Sequence, residues 1–143
     1  MAEVLISHSV DETLALGEAF AARLRGGDIV ALRGDLGSGK THFVKGICRG
    51  LGSADSVSSP TFVFINEYHG EYHGKLTVYH VDLYRLDSEK QLTPLGLDDL
   101  SNSNSVVLVE WPDLAENLLK YHYIIHCEEQ GDTMRQYTIE DRR

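Results

Sequence analysis

At 143 residues the chain is long enough for one domain that buries well over half of its unfolded surface. Apolar residues make up 42% and charged residues 24%, the balance of a globular chain rather than a disordered or collagenous one. Twenty-two acidic residues against 13 basic ones leave a net charge of −9, which argues against a groove that holds nucleic acid by its phosphates.

In chain order, residues 3–7 read as a first strand. Ser9-Val10-Asp11-Glu12 has the spacing of a capping box and predicts a helix over residues 9–25, with Leu14, Gly17, Ala21 and Leu24 on one face. Gly26-Gly27 is expected to end it. Residues 28–33 form a strand around the apolar run Ile29-Val30-Ala31-Leu32, and residues 40–51 a helix closed by Gly50 and Gly52. A strand over 61–68, a turn over 69–74 and a strand over 76–82 make a hairpin. Residues 83–100 read as loop with short helical pieces. Val106-Val107-Leu108-Val109-Glu110 is continuously apolar up to its terminal acid, as a buried parallel strand is. Pro112 starts a helix to about residue 120, and residues 121–128 and 134–140 close the chain as a hairpin around Gly131-Asp132. Such alternation, with the run Gly34 to Thr41 between the second strand and the second helix matching a phosphate loop, predicts an α/β fold: one P-loop NTPase-type, three-layer domain over 1–143, with a mixed, mainly parallel central sheet and antiparallel hairpin additions.

Between the second strand and second helix lies Gly34-Asp35-Leu36-Gly37-Ser38-Gly39-Lys40-Thr41, which fits the phosphate-loop pattern G-x-x-x-x-G-K-[ST] at every fixed position. Glycines let successive backbone N–H groups turn toward an anion, and the helix that follows adds the positive end of its dipole. Leu36, Gly37, Ser38, Gly39, Lys40 and Thr41 are therefore expected to hold the phosphates of a nucleoside triphosphate. Lys40 reaches the β- and γ-phosphates in this reading, and the Thr41 hydroxyl binds Mg²⁺. No N-K-x-D run of the guanine-reading kind occurs, which tilts the base toward adenine. Val10 is either an apolar platform for the base or a residue packing the helix entry.

Hydrolysis needs more than a phosphate loop. Glu110, directly after a four-residue apolar strand, is the candidate second Mg²⁺ ligand, against the plainer reading of an acid that ends a strand. Asp82 ends another strand and is the candidate acid that orients water or supports the metal shell. Arg85 is either a charge-neutralising cation or a solvated one, and Trp111 either flanks the nucleotide or packs the core. Cys48 and Cys127 read as small buried hydrophobes in a reducing compartment. His69 and His73 have metal-like spacing, but they lie in a Gly-flanked turn with no Cys and no third evident ligand, and a solvated hairpin tip is the plain reading. No apolar run nears the ~20 residues of a membrane span, and residues 1–5 lack the pattern of a secretory signal, so a cytoplasmic location is expected.

Taken in order, the phosphate loop, Ser59-Pro60-Thr61, His80-x-Asp82-Leu83-Tyr84-Arg85 and Val109-Glu110-Trp111-Pro112 resemble the bacterial TsaE (YjeE) family of small ATPases over residues 9–119. The resemblance implies a cytoplasmic ATPase that binds ATP or ADP with Mg²⁺ and is needed to make N6-threonylcarbamoyladenosine on tRNA. It implies a TsaB–TsaD pair as partner, with tRNA engaged only indirectly. It also implies that Leu36 to Thr41 hold phosphates, Thr41 and Glu110 hold Mg²⁺, Asp82 serves hydrolysis and Val10 lies near the adenine. His42 stands where many members carry a second Thr. Two other classes stay open on the residues alone: a small-molecule kinase, and a non-hydrolysing module whose bound nucleotide sets its affinity for partners.

Overall fold

Ile29–Arg33 (β2) and Ser105–Glu110 (β5) are apolar toward both of their faces, so both must be covered on each side, and they pair in parallel at the middle of the sheet. The computed structural model describes residues 2–35, 38–55, 65–84, 86 and 88–143, with Thr93 given by its backbone alone. Leu36, Gly37, Ser59, Pro60, Thr61 and Arg85 lie outside the described residues, as does the start of the strand expected from residue 61. The remaining strands are Ala2–Ser7 (β1), Ile65–Glu71 (β3), Lys75–Asp82 (β4), Tyr123–Glu129 (β6) and Arg135–Asp141 (β7). Together they form one seven-stranded sheet in the order β1-β7-β6-β2-β5-β4-β3. The central four, β6, β2, β5 and β4, run parallel; the pairs β3–β4, β6–β7 and β1–β7 are antiparallel. This is the expected mixed α/β sheet with hairpin additions at its margins.

Two helices, Val10–Ala21 (α1) and Lys40–Gly50 (α2), cover one face. Ser9 caps α1 by accepting from the Glu12 amide at 3.1 Å. The reciprocal bond falls one residue early, because Glu12 accepts from the His8 amide at 2.8 Å. The helices touch backbone to backbone: a Cβ on Gly46 would lie 2.3 Å from the Leu14 carbonyl oxygen, and one on Gly17 2.5 Å from that of Phe43. Phe20, Phe43, Val44, Ile47 and Leu51 fill the space between helices and sheet. Full burial of each such side chain favours folding by about 1.5–3 kcal/mol. The opposite face carries a second core of Ile29, Ala31, Val81, Leu83, Val107 and Val109. Short 3₁₀ turns supply its cover: Glu89–Gln91, Thr93–Leu95, Leu97–Asp99 and Pro112–Ala115.

Three expected boundaries move. The first helix ends at Ala21, not near residue 25, because the amides of Ala22, Arg23 and Leu24 bond three residues back and tighten the last turn. That turn brings Leu24 into the core ahead of β2. The hairpin turn shrinks from 69–74 to residues 72–74, since His69, Gly70 and Glu71 pair with Thr77, Leu76 and Lys75. The helix expected from Pro112 to about 120 is a single 3₁₀ turn, Pro112–Ala115. There the Tyr121 hydroxyl donates to the Pro112 carbonyl at 2.9 Å, and the Glu116 amide bonds three residues back to Asp113. Those contacts bend the chain toward β6 instead of prolonging a helix.

Candidate functional site

Parallel strands bring their carboxyl ends to one edge of a sheet, and that edge is where open α/β sheets leave a crevice. Here β2 delivers the glycine-rich loop, β4 delivers Asp82 and β5 delivers Glu110. Register sets Glu110 beside both Leu32 and Asp82, so strand alternation turns Glu110 and Asp82 to the same face, the one carrying α1 and α2.

Gly34 and Gly39 answer to close neighbours as well as to backbone angle. Gly39 caps α2 with φ of +94°, and a Cβ there would lie 2.4 Å from the Tyr137 hydroxyl. Ser38 is 2% exposed, its amide donates to the Asp35 carbonyl at 3.1 Å, and its buried Oγ has no hydrogen-bond partner among the described residues. Such an orphaned buried hydroxyl costs free energy until something bonds it. A cleft of about 400 Å³ opens here, lined by Arg33, Gly34, Asp35, Ser38, Cys127 and Glu128.

Lys40, the first residue of α2, is 5% exposed. Its Nζ donates to the Gly34 carbonyl at 2.7 Å, lies 4.0 Å from Glu110 Oε1 and stands 3.9 Å from the centre of the Trp111 ring. Burial lowers its pKa, and the negative groups around it, Glu110 first, oppose that fall. Thr41 follows on the helix, half-buried.

Glu110 is 3% exposed, with Oε2 accepting from His80 Nε2. Asp82 Oδ1 accepts from the Tyr84 amide at 3.0 Å. Burial raises the Asp82 pKa, the Tyr84 hydrogen bond pulls it down, and Glu110 adds to the rise. Trp111 holds a left-handed backbone, φ +56°, with its ring 4.8 Å from that of Tyr84.

Val10 opens α1 and is 50% exposed. One turn on, Thr13 Oγ1 accepts from the Tyr137 hydroxyl at 3.3 Å, and that hydroxyl also lies 3.4 Å from the Gly39 carbonyl oxygen. The mouth of α1 is thus tied to the loop through two side chains. Lys40, Asp82 and Glu110 come together, with Ser38, Gly39 and Thr41 next to Lys40 in the chain; Val10 stands one helical turn from the contacts that join α1 to Gly39. His69 and His73 belong to the hairpin instead: the His69 amide donates to Asp55, and His73 holds the turn with φ +55°. Among the described residues, no three His, Cys, Asp or Glu side chains group to hold a metal ion by themselves.

His80 heads one of the motifs that carry the family resemblance, but motif reading gave it no role of its own. It is 0% exposed, between Tyr68 and Glu110. A signal existed: His80 stands two residues before Asp82 on the same strand, and alternation puts both on one face. For Trp111 no local pattern separates a core residue from one that meets Lys40.

Residues 7–137 match the family model of the threonylcarbamoyl adenosine biosynthesis protein TsaE. The chain is 42% identical over 130 residues to the tRNA threonylcarbamoyladenosine biosynthesis protein TsaE of Bacillus subtilis strain 168, covering 90% of this chain and 79% of that relative. It is 35% identical over 135 residues to the TsaE protein of Treponema pallidum strain Nichols, covering 94% and 97%. The crystal structure of YdiB from Bacillus subtilis superposes over all of this chain and 87% of its own, with a TM-score of 0.77 and 32% identity. A match over residues 7–137 and these identities over most of the chain show one thing together: the protein belongs to the TsaE family.

Proposed function

We propose that this chain is an ATP-binding and ATP-hydrolysing accessory subunit for N6-threonylcarbamoyladenosine formation on tRNA, acting on a TsaB–TsaD-type complex. One observation carries the reading. A buried lysine at a helix N-terminus faces a buried carboxylate across 4.0 Å, with Asp82 on the adjoining strand beside it.

The residues present fit magnesium and a nucleotide. Ser38 offers a buried hydroxyl with no partner among the described residues, α2 offers its N-terminal amides, and Lys40 offers an ammonium. In this reading residues Leu36, Gly37, Ser38, Gly39, Lys40 and Thr41 hold the phosphates, Thr41 and Glu110 hold Mg²⁺, and Val10 lies by the adenine. Bound Mg²⁺ neutralises charge on the transferred phosphoryl group. Lys40 leaves the Gly34 carbonyl and the indole face for phosphate oxygens, a stronger charge-assisted contact. Asp82 orients the attacking water, and a carboxyl whose pKa is raised by burial accepts a proton more readily than a solvated one. Partner action is supported by the net charge of −9, which disfavours direct binding of tRNA, and by the tRNA-modification names of the relatives.

The test follows labelled γ-phosphate with and without a TsaB–TsaD pair and tRNA. Slow release by the chain alone, raised by the partners, is the expected result. Label passed to a metabolite replaces the reading with a kinase. Tight binding with no release under any condition leaves a nucleotide-dependent interaction module.

A further inference from the structure

We infer that His80 is the positioning residue of Glu110, the last link of a hydrogen-bond chain, Asn66–Tyr68–His80–Glu110, that holds one carboxylate oxygen and leaves the other for magnesium. The assignment rests on the magnesium–nucleotide reading above. Its geometry does not.

Direction runs one way along this chain. An ionised carboxylate only accepts, so His80 Nε2 is the donor to Glu110 Oε2. In the neutral ring that tautomer leaves Nδ1 as an acceptor, and the Tyr68 hydroxyl stands 3.5 Å away to donate to it. The Tyr68 oxygen in turn accepts from Asn66 Nδ2 at 3.3 Å. Each donor points toward the carboxylate. The chain crosses three adjacent strands, from β3 through β4 to the end of β5.

Oε2 is thereby occupied, while Oε1 faces Lys40 at 4.0 Å, on the side where the loop and the helix N-terminus lie. A carboxylate held by one oxygen presents the other in a fixed direction and ligates through that oxygen alone. Metal-ligating groups are oriented in this way by buried partners that never touch the ion. Burying a histidine obliges the fold to supply a polar partner at each ring nitrogen, a cost that an apolar side chain of similar volume avoids, so filling space alone does not call for histidine here.

The experiment reads metal binding, not turnover. Mn²⁺ is titrated into the full-length protein saturated with ADP and free Mn²⁺ is followed by its paramagnetic resonance signal. ADP affinity is measured separately in EDTA. For His80→Leu we expect Mn²⁺ affinity to fall about tenfold or more while ADP affinity in EDTA stays within about twofold of the native value. His80→Gln, whose amide replaces the Nε2 donor, is expected to restore most of the loss. Tyr68→Phe removes only the orienting hydroxyl and should give a smaller loss in the same direction. Unchanged Mn²⁺ affinity in His80→Leu overturns the inference, and so does an equal loss of ADP affinity in EDTA, which marks a packing role. If His80→Leu does not fold, Tyr68→Phe decides, and native Mn²⁺ affinity there overturns the chain. Native protein that binds ADP but takes up no Mn²⁺ overturns the inference and the magnesium reading together, whereas native uptake with a silent His80→Leu leaves that reading standing.

Discussion

Lys40 is held by three attractions of different kinds: a carbonyl that accepts from it, a carboxylate at 4.0 Å and the face of an indole. An ammonium so buried keeps its charge only while such partners surround it. Lys40→Ala removes the cation that faces Glu110 and leaves that carboxylate buried beside His80 and Asp82. Nucleotide affinity should then fall about 30-fold or more, since truncating one partner of a buried charge pair costs about 2–5 kcal/mol. Titration calorimetry with ADP checks this. Asp82 acts on Lys40 through space, after Glu110 in size, so in Asp82→Ala affinity should largely hold while phosphate release falls by about 10²–10⁴, the range for losing a positioned acid or base. Undiminished release in that variant removes Asp82 from the chemistry. Cys127 makes a third residue-scale case. Burial raises its thiol pKa, like that of Cys48, to about 12, so both are protonated at ordinary pH. A chromogenic disulfide reagent at pH 8 should find neither thiol accessible in the native protein and both in urea. Fast labelling of the native chain would contradict that burial.

At the scale of elements, the contact of α1 with α2 is governed by what is absent from two side chains. Gly17 and Gly46 let the helices meet at the distance of their backbones, and a Cβ at either position falls inside 3 Å of main-chain atoms that cannot turn away. Gly46→Ala gains helix propensity but forces the pair apart, so urea unfolding should show a net loss of about 1–3 kcal/mol, the usual cost of overpacking. A neutral or stabilising result would mean that the helices slide freely. Elements with a complete local code were legible in the amino-acid sequence. Ser9 caps α1 and the apolar run 29–32 forms β2 as expected. Schellman bonds close α2, from Gly52 to Arg49 and from Ser53 to Cys48. Elements decided by distant partners were less so. Pro112 opens a turn that helix signals would have extended, and a hydroxyl nine residues on ends it. Residues 69–71 carry turn-forming types, yet their register with Lys75 to Thr77 makes them strand.

Over the whole molecule, charge and topology divide the work. A net charge of −9 repels a polyanion, so the isolated chain should retain no tRNA on a filter at physiological salt. Retention that weakens steeply with added salt would show a basic track after all and overturn the indirect engagement of tRNA. The one long sheet, with parallel strands at its centre, sets the loop after β2 beside the ends of β4 and β5. Read alone, the amino-acid sequence determined the strand–loop–helix around Lys40, the alternation that makes the fold α/β, and the motifs that mark the family. Those are features of neighbouring residues, and backbone propensity and side-chain period act over a few positions. Tertiary structure alone decided that His80 meets Glu110 across 30 positions, that Lys40 lies under Trp111, and that Tyr137 braces Gly39 from 98 positions away. Such pairs arise when strands dock in a particular order. That order is chosen by the packing of two whole faces, which no local period records.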